Sequence, residues 1–388
     1  MINKYFHITK RRKFISGFTS ISAIGLCSCT SLFQNQFSEV DSLARTAIKT
    51  HKAPGIVLAV GHDGKIVHKY VYGHRALTPT QETMTWDTHF DMASLTKPCM
   101  TALSILQLYE KKLIDIDDPV VKYLPEFSDI NKNKITLRLL LTHYSGLPPD
   151  ISLTDNWMGK NSAFQRIMDA YLINTPGDKF VYSDINFIIL GFIIEKISHM
   201  PLSGYVYKNI LLPMNMTQSG YLPDPTLRSI IAPTQYDDGG IILRGIVHDP
   251  TARRMGGVAG NAGFFSDAHD MCLYAQALLD RLAGRPSLFP LSRAMLKLMV
   301  SPQQPKDKKD LRGLGWDIKT RYSTPNGDVF SSNSFGHTGF TGTSLWIDPD
   351  NDSYILILTN RVHPNGSGNV VKLRYDIARS AFMSLDIN

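Results

Sequence analysis

The spacing of hydrophobic residues predicts helices and strands in separate parts of the chain. Apolar residues that recur every three or four positions predict helices at residues 38–50, 94–112, 271–283, 291–299 and 370–383. Alternating or continuous apolar runs bounded by turn residues predict strands at residues 55–61, 66–73, 313–319, 343–347 and 354–359. A turn at residues 62–65 would join the first two strands as a hairpin, and Ser38 is a candidate cap for the first helix.

The order of these elements predicts an α+β fold. Strands lie near both ends of the chain with helices between them, which favours one sheet built from about residues 38–110 and 310–388. A mainly helical region, about residues 111–300, would be inserted in the middle. Residues 221–262 are rich in Gly, Pro and Asp and are predicted to be loops, and the charged segment 306–312 is predicted to be a solvated loop.

The N-terminus has the pattern of an export signal. A basic stretch is followed by an apolar one rich in small residues, which predicts a signal peptide at residues 1–28 and a tether at residues 29–37. Arg11 and Arg12 resemble a twin-arginine signal, and the residues around Cys29 resemble a bacterial lipobox. We therefore predict export to the periplasmic side of a bacterial membrane, with a lipid anchor on Cys29. An ordinary cleaved signal with incidental cysteines is the alternative to the lipid anchor, and the Sec route is the alternative to the twin-arginine route.

The composition is that of a globular protein and gives no support to a nucleic-acid partner. The 388 residues are 43% hydrophobic and 19% charged, which is enough to bury a large core. The formal net charge of +7 comes from 41 basic and 34 acidic residues, but five basic residues and no acid lie in the first 29 positions. The rest of the chain has 41 − 5 = 36 basic against 34 acidic residues, a net charge of +2. The basicity therefore belongs mostly to the export signal.

Cysteine and histidine spacing implies no metal site. Outside the signal, the chain has Cys99 and Cys272, both in apolar helical surroundings, so buried thiols are predicted and a disulfide between them is the alternative. There is no CxxC, no HExxH and no zinc-ligand spacing among the 12 histidines. Neither a metal nor another cofactor is implied.

Ser94 and Lys97 form a candidate nucleophile and base. Residues three apart share one face of a helix, so the Ser94 hydroxyl and the Lys97 amine can meet. A serine hydroxyl needs a neighbouring base at neutral pH, and an amine serves as one when burial or nearby positive charge lowers its pKa. The free N–H groups at a helix start could hold a developing oxyanion. On its own, the pattern equally fits a surface pair.

Two further segments carry candidate chemistry. Tyr182 precedes an apolar helix, where its phenol could relay a proton, and Asp184 or Asn186 could hydrogen-bond Lys97 or a substrate amide. His337 lies in a glycine-rich stretch that would let a substrate approach a strand edge, where it could donate to a substrate group or assist proton transfer. Taken alone, the tyrosine also fits core packing and the histidine fits a structural turn.

Together, the three segments resemble the motifs of the serine β-lactamase and penicillin-binding protein superfamily, on its class C-like branch. That superfamily shows Ser-x-x-Lys, Tyr-x-Asn and Lys-Thr-Gly or His-Thr-Gly in this order. Flanking residues agree at 91–93, 140–147, 212–217 and 256–266, and the similarity covers roughly residues 40–384. The resemblance implies a β-lactamase/transpeptidase-like fold, an antiparallel sheet flanked by helices.

The resemblance also implies roles for individual residues. Ser94 would be the acylated nucleophile, Lys97 its base partner and Tyr182 the proton relay. His337 stands where many members have lysine, and the backbone N–H groups of Ser94 and Phe340 would form the oxyanion hole. The implied substrate-binding residues are Asp184, Asn186, Thr338 and Gly339.

Two departures from the family pattern bear on the activity. Asp184 occupies the usual asparagine position, and its negative charge would raise the pKa of Lys97 and make it a poorer base. His337, mostly neutral near pH 7, would attract a substrate carboxylate less strongly than lysine. Efficient β-lactamase activity is therefore not expected, whereas carboxypeptidases of the superfamily can carry His-Thr-Gly.

Weaker candidates lie elsewhere in the chain. The pair His248 and Asp249 could line the cleft or could stabilise a loop. Arg253, Arg254 and Arg361 could bind a carboxylate, although exposed arginines usually bind nothing specific. The sequence has no Gly-x-Ser-x-Gly elbow and no Gly-rich phosphate loop, which counts against an α/β-hydrolase and a nucleotide enzyme.

These observations predict an exported serine hydrolase that forms an acyl-enzyme on an amide or ester carbonyl. The expected substrate is a peptidoglycan-derived peptide, either a D-alanyl-D-alanine peptide or a muropeptide amide. An esterase and a weak β-lactamase are alternatives, since the shape of the pocket decides the substrate. A protein of another class, a catalytically weak penicillin-binding sensor of the cell wall, is a further alternative because Asp184 departs from the motif.

Overall fold

The computed structural model describes residues 36–322 and 329–385. The predicted signal peptide at residues 1–28, the predicted lipidation site Cys29 and residues 30–35 of the tether lie outside the described residues. Gln36 and Phe37, at the end of the predicted tether, lead directly into the first helix.

An eight-stranded antiparallel sheet forms the centre of the fold. Two sheets share the eleven strands of the described residues: β1 (Gly55–His62), β2 (Lys65–Ala76), β3 (Glu82–Thr83), β4 (Phe90–Asp91), β5 (Gly220–Tyr221), β6 (Phe264–Ser266), β7 (Leu311–Arg312), β8 (Asp317–Lys319), β9 (Phe335–Thr338), β10 (Ser344–Asp348) and β11 (Ser353–Thr359). The large sheet has the order β3-β2-β1-β11-β10-β9-β8-β7, and β4-β6-β5 form a separate small sheet. The predicted α+β fold with an antiparallel sheet flanked by helices is confirmed.

Most of the helices lie between β3 and β7 in the sequence. Within the described residues the α-helices are α1 (Ser38–Lys49), α2 (Leu103–Glu110), α3 (Leu137–Leu141), α4 (Lys160–Met168), α5 (Asp184–Ser198), α6 (Leu202–Val206), α7 (Pro250–Arg254), α8 (Ala268–Ala283), α9 (Arg293–Val300) and α10 (Val371–Met383). Short 3₁₀ segments lie at Ala93–Leu95, Val120–Lys122, Pro125–Phe127, Lys132–Lys134 and Pro225–Ile230, and π-helical segments at Lys97–Ala102 and Tyr207–Leu211. No single helix in the described chain is both long and apolar enough to cross a membrane, although α5 and Leu202–Leu211 pass that test as a pair bent by 74°.

The alternation of side chains along β1 separates two hydrophobic clusters. Successive residues of a strand point to opposite faces of the sheet. Ile56, Leu58 and Val60 pack on one face with apolar residues of α1 and α10. Val57 and Ala59 point to the other face, into the larger cluster formed with the helical region. The sheet is therefore a central layer, with the two terminal helices on one side and the helical region on the other.

The middle of the sheet joins the two ends of the described chain. Strand β1 pairs with β11, so that Ile56 lies opposite Thr359, 359 − 56 = 303 positions later. Every residue of β11 is buried, which explains its continuous run of apolar residues, because both faces of the sheet are covered. The predicted hairpin of the first two strands is confirmed as β1 and β2.

The first two predicted helices differ from the structure at their starts. Helix α1 begins at Ser38 itself, and its N-cap is Phe37 with no side-chain cap bond, so the predicted capping role of Ser38 is wrong. The buried Phe37 ring packs into the cluster beneath α1, so an apolar contact, and not a side-chain cap, is found at the N-terminus of this helix. The predicted helix at residues 94–112 is a 3₁₀ turn and a π-helical segment followed by α2, and such π-segments are frequent at functional sites.

The segment before β8 also differs from its prediction. The charged segment 306–312 is not solvated throughout, because its last two residues form β7 and the Arg312 side chain is 1% exposed. The predicted strand at residues 313–319 is shorter than expected, since Gly315 has a φ of +89° and turns the chain between β7 and β8. Exposure predicted from charge alone was therefore wrong here, because the fold buries the arginine.

The two cysteines outside the signal are buried thiols, as predicted. Cys99 and Cys272 are both free, so the alternative of a disulfide is wrong. Burial raises the pKa of the Cys272 thiol to about 12 and raises the pKa of Cys99 further above its ordinary value. Because the thiolate is the reactive form, both side chains are inert packing residues.

Candidate active site

Ser94 lies in a strained turn directly after β4. The preceding residue, Ala93, has a φ of +48°, a left-handed conformation that costs a residue other than glycine about 1–3 kcal/mol. The buried Asp91 carboxylate holds the turn, because Oδ1 accepts the Ala93 N–H at 2.8 Å and Oδ2 accepts the His248 N–H at 2.7 Å. Burial raises the pKa of Asp91 to about 6. Strain that is held by surrounding contacts in this way is typical of functional sites.

Lys97 contacts Ser94 from the following turn. Its buried Nζ donates to Ser94 Oγ at 3.0 Å and to the Asn261 carbonyl oxygen at 3.0 Å. The same Nζ lies 2.5 Å from Asp184 Oδ1 at the start of α5. Burial by itself would lower the pKa of Lys97, but the Asp184 carboxylate and, less strongly, the Tyr182 side chain together raise the pKa above its ordinary value. The predicted effect of Asp184 is confirmed, and the resting lysine is an ammonium.

Tyr182 lies beside both groups. The centroid of its ring is 5.1 Å from Lys97 Nζ and 6.0 Å from the centroid of the His337 ring. Burial raises the pKa of the Tyr182 hydroxyl, and the nearby Lys97 and Ser94 side chains lower it by less. Tyr182 is therefore a neutral phenol, which can both donate and accept a proton among these groups.

His337 on β9 presents one nitrogen as an acceptor. Its Nδ1 lies 2.9 Å from the Thr338 carbonyl oxygen, and because a carbonyl only accepts, Nδ1 is the donor. Burial, together with the charges of Arg312 and Lys97, lowers the pKa of His337 well below its ordinary value. The neutral ring thus has its proton on Nδ1 and a lone pair on Nε2. The lowered pKa agrees with the predicted neutral ring, and in this tautomer Nε2 is the acceptor; the role of His337 toward a substrate stays a prediction.

Two threonines tie the turn after β9 to the turn that carries the serine. Thr341 Oγ1 donates to the Asp91 carbonyl oxygen at 2.8 Å, and Thr343 Oγ1 donates to the Met92 carbonyl oxygen at 3.1 Å. These bonds place Phe340, which follows the His-Thr-Gly residues, on the wall of the cavity that the serine also lines. The oxyanion hole stays a prediction, and these bonds hold its two backbone segments together.

Ser94 opens into a cavity of about 510 Å³. That volume suits a small ligand such as a short peptide. The residues of the three sequence motifs that line it are Ser94, Tyr182, His337, Thr338, Gly339 and Phe340. The structure thus brings together segments that are far apart in the sequence, with the Lys97 amine behind the serine.

Three arginines make part of this cavity wall cationic. Arg312 Nη1 lies 3.7 Å from Asp317 Oδ2, whereas Arg361 and Arg374 form no ion pair with an acid in residues 36–322 or 329–385. Arg361 lies 4.4 Å from the centroid of the Phe340 ring, and Arg374 donates to two backbone carbonyls. Burial, together with the charge of Arg361, lowers the pKa of Arg374 to about 9. Two like charges without a counter-charge favour an anionic group in the cavity.

Sequence reasoning missed four residues at this site. Arg312 and Arg374 were not among the predicted site residues. Each is a charged residue next to apolar positions of a strand or helix, and this pattern could have indicated that they are buried. Asn261 supplies a backbone carbonyl to the lysine, a contact for which a sequence gives no signal. His143 stacks on Tyr182, and its only signal was its place in segment 140–147, which agrees with the family pattern.

Asn186 is not a substrate-binding residue. Both Asp184 and Asn186 belong to α5, and residues two apart on a helix do not face the same way. Asn186 is fully buried, its Oδ1 accepts from Ser145 Oγ at 2.6 Å, and its Nδ2 donates to the Leu140 carbonyl oxygen at 3.2 Å. The prediction is corrected to a structural role, and Asp184 is the residue of the pair that reaches Lys97.

The weaker candidates have separate locations. Arg361 lines the cavity, whereas Arg253 and Arg254 donate to nearby backbone carbonyls. His248 stacks on the Phe340 ring with centroids 5.4 Å apart, so it borders the cleft. Asp249 accepts the N–H of residue 252 at 2.7 Å and thereby caps α7, which is a loop-stabilising role.

An acidic cluster lies next to Lys97. Asp150, Asp184 and Asp249 place carboxylate oxygens within 4.8 Å of one another, a spacing that a cation could bridge. Lys97 already meets Asp184 there. Burial raises the pKa of Asp150 to about 7 and raises that of Asp249 above its ordinary value, and the neighbouring carboxylates add to both effects. Protons and the lysine ammonium therefore compensate part of the charge of this cluster.

Known proteins resemble this chain over most of its length. The sequence model of the Beta-lactamase family matches residues 40–379. A Salmonella typhimurium protein named "Putative D-alanyl-D-alanine carboxypeptidase" is 34% identical over 347 residues, which cover 80% of this chain and 79% of the relative. A class C β-lactamase from Rhodobacter sphaeroides has a TM-score of 0.69 at 20% identity, over 88% of this chain and 99% of that one. EstCE1, a hydrolase with promiscuous acyltransferase activity, has a TM-score of 0.71 at 19% identity, over 90% and 99%.

These comparisons agree with the resemblance that the three motifs carry. The two solved structures share the fold, and the family match extends over residues 40–379, well beyond the motifs. The serine, lysine, tyrosine and histidine of those motifs meet around a single cavity. The chain belongs to the Beta-lactamase family and is a serine hydrolase of the β-lactamase and D-alanyl-D-alanine carboxypeptidase type.

Proposed function

We propose that the protein is an exported hydrolase that forms an acyl-enzyme on Ser94 and cleaves an amide bond of peptidoglycan-derived peptides. The observation that carries this proposal is the 3.0 Å contact between Ser94 Oγ and the buried Lys97 Nζ, beside Tyr182 and His337. A serine becomes a nucleophile beside a group that removes its proton. Lys97 is the group that contacts its oxygen.

Asp184 determines how Lys97 acts as a base. In the resting site, the lysine is an ammonium 2.5 Å from Asp184 Oδ1. When a substrate excludes water, transfer of one proton from Nζ to the carboxylate turns two charges into two neutral groups, which burial favours. The resulting amine accepts the Ser94 proton. Because the pair neither takes up nor releases a proton, this step is independent of pH near neutrality.

Acylation then passes through a tetrahedral intermediate. Ser94 Oγ bonds to the substrate carbonyl carbon as its proton passes to Lys97, and the N–H groups of Ser94 and Phe340 bind the oxyanion. The bond from carbon to the leaving nitrogen breaks, and the leaving amine takes a proton from Tyr182, which recovers one from Lys97. Water then attacks the acyl ester along the reverse proton path, which releases the acid and restores Ser94.

The cationic wall supports a substrate that carries a carboxylate. Arg361 and Arg374 line the cavity without an acidic partner in the described part of the chain, so an anionic group there gains charge-assisted contacts. A peptide that ends in D-alanyl-D-alanine has such a group at its C-terminus. The name of the similar Salmonella typhimurium protein supports this substrate class. A muropeptide amide is the second peptidoglycan-derived substrate that we consider.

We expect Arg361→Gln to weaken the binding of carboxylate-ended peptides. Loss of one charged contact should raise KM about tenfold, with a smaller change in kcat. Steady-state kinetics with a D-alanyl-D-alanine peptide measure both constants. A neutral ester substrate is the control, and an equal rise of KM for the ester and the peptide would contradict carboxylate recognition by Arg361.

Penicillin labelling and muropeptide digestion test the proposed function. Purified protein is incubated with a fluorescent penicillin, and mass spectrometry is expected to find the label on the peptide that contains Ser94. Purified muropeptides are then digested and their products weighed. Release of alanine identifies a carboxypeptidase, and release of the whole peptide identifies an amidase. Absence of both label and products would overturn the proposal.

An esterase is the second candidate. His337 is neutral where many relatives have a charged lysine, which makes the cleft less selective for a carboxylate, and the fold is shared with the hydrolase EstCE1. A chromogenic ester hydrolysed faster than every muropeptide would favour this activity. Hydrolysis of a chromogenic cephalosporin would instead indicate a weak β-lactamase, and labelling without any turnover would indicate a penicillin-binding sensor.

Export and anchoring are part of the proposal and rest on the N-terminal sequence. The basic and apolar stretches support a signal peptide at residues 1–28, and the lipobox-like residues support a lipid on Cys29. We expect palmitate supplied to expressing cells to label the wild type and not Cys29→Ala. A mature wild-type protein that is soluble and unlabelled would contradict the anchor.

A further inference from the structure

His143 occupies a position where the end of a helix favours glycine. Helix α3 ends in a Schellman motif, in which the Tyr144 N–H donates to the Leu139 carbonyl at 2.9 Å and the His143 N–H donates to the Leu140 carbonyl at 3.2 Å. His143 has a φ of +62°, a left-handed conformation that glycine adopts freely and that strains other residues. A fully buried histidine here breaks a local rule, and such exceptions concentrate at functional sites.

Three contacts join His143 to Tyr182. The His143 carbonyl oxygen accepts the Val181 N–H at 3.0 Å, and His143 Nδ1 accepts the Ser183 N–H at 3.1 Å. One residue therefore holds the backbone immediately before and immediately after the tyrosine. The His143 ring also stacks on the Tyr182 ring, with centroids 4.4 Å apart and planes inclined by 27°.

The surroundings of His143 fix its protonation state. A backbone N–H only donates, so Nδ1 carries no proton and the neutral ring has its proton on Nε2. Burial, together with the charges of Arg312 and Lys97, lowers the pKa of His143 well below its ordinary value, which keeps Nδ1 an acceptor. The side chain is fully buried and does not line the cavity, so it acts behind the tyrosine and does not touch a substrate there.

We propose that His143 is a positioning residue for Tyr182. Its carbonyl and Nδ1 fix the backbone on both sides of the tyrosine, and its ring fixes the plane of the phenol. Together these contacts set where the phenol oxygen lies relative to Ser94 and Lys97. The inference rests on the proposed acyl-enzyme function, because Tyr182 is the proton relay in that reaction.

Two variants separate the contacts. His143→Gly removes the ring and relieves the left-handed strain, whereas His143→Phe keeps a stacking ring and removes the Nδ1 acceptor. We expect each variant to slow penicillin labelling of Ser94 by about 10- to 100-fold, since small displacements of a reacting group have effects of this size. In substrate turnover kcat should fall while KM stays unchanged. Unchanged labelling in both variants would overturn the inference.

His199→Gly is a matched control. His199 also ends a helix, α5, in a left-handed conformation, with a φ of +54°, but its side chain is exposed. The same substitution there should leave labelling unchanged and should not lower the melting temperature. A similar loss of labelling in His199→Gly would overturn the assignment, because strain relief at a helix end would then explain the effect.

A double-mutant cycle shows whether His143 acts through Tyr182. In a Tyr182→Phe background the relay is already lost, so adding His143→Gly should change the labelling rate less than twofold. A merely structural role would lower the rate by the same factor in both backgrounds. Equal factors would therefore overturn the positioning role while leaving the proposed function intact.

Hydrogen exchange tests the same contacts without a substrate. The amide of Ser183 should exchange faster in His143→Phe than in the wild type, because the phenylalanine ring has no acceptor for it. Mass spectrometry of peptides that span residues 180–184 reads this change. Unchanged exchange of the Ser183 amide would overturn the inference, whether or not penicillin labels the protein. Faster exchange in a protein that penicillin never labels would support the contact with His143 and would refute only the proposed function.

Discussion

Replacing Lys97 by methionine is expected to slow the acylation of Ser94 by about 10³-fold. Methionine fills similar space but has no nitrogen, so Ser94 Oγ loses the amine that contacts it at 3.0 Å and takes its proton. Asp184 loses the ammonium that lies 2.5 Å from its Oδ1. The rate constant for labelling by fluorescent penicillin measures the effect.

Lys97→Arg separates the loss of the base from the loss of the charge. Arginine keeps a positive charge for Asp184 but stays protonated in proteins, so its labelling rate should fall as far as that of the methionine variant. Ser94→Ala gives the background of the assay, and thermal melting checks that each variant is folded. A folded Lys97→Met protein labelled at a rate within tenfold of the wild type would contradict the role of Lys97 as the base.

Asp184→Asn is expected to make acylation depend steeply on pH. In the wild type the proton moves inside the pair of Lys97 and Asp184, so the rate should be nearly constant near neutrality. In the variant the carboxylate that opposes burial most strongly is gone, so the pKa of Lys97 falls from its wild-type level. The amine then forms only when a proton leaves to solvent, and the rate should rise about tenfold per pH unit until most of the amine is neutral.

Labelling rates between about pH 5 and pH 9 test this difference. Asp91 and Asp150, whose pKa values are about 6 and about 7, titrate within this range, so the slope of the variant is compared with that of the wild type, which carries both groups. Asp169→Asn is the control, because that exposed carboxylate contacts Gln165 and lies outside the site. A tenfold rise per pH unit in the wild type would contradict proton transfer inside the pair, and a flat profile in Asp184→Asn would remove Asp184 from the proton path.

The contact between Ser94 and Lys97 could be predicted because it is local. Their three-residue spacing on a helical segment brings the side chains together before any tertiary contact forms. The contact survives even though the segment is a 3₁₀ turn followed by a π-helical stretch. The hairpin of β1 and β2 was predictable for the same reason, from strand alternation on either side of a short turn.

The electrostatics of the site depend on contacts that a sequence pattern does not show. Arg374 belongs to the last helix and reaches the carbonyls of Gly339 and Thr343, and Arg312 is buried although its charged neighbours predicted exposure. Hydrophobic periodicity reports which face of an element is apolar, not which charge a distant element covers. Asn186 is a different case, because helix geometry alone argues against placing it on the same face as Asp184.

The pairing of β1 with β11 makes the finished fold depend on residues near both ends of the described chain. A nascent chain that ends before β9 has its serine and lysine, but the segment whose threonines bind the carbonyls of Asp91 and Met92 has not yet been made. Contacts across so many residues form late in folding, because the intervening chain must first be brought back on itself. We therefore expect a nascent chain without these last strands to lack a finished active site.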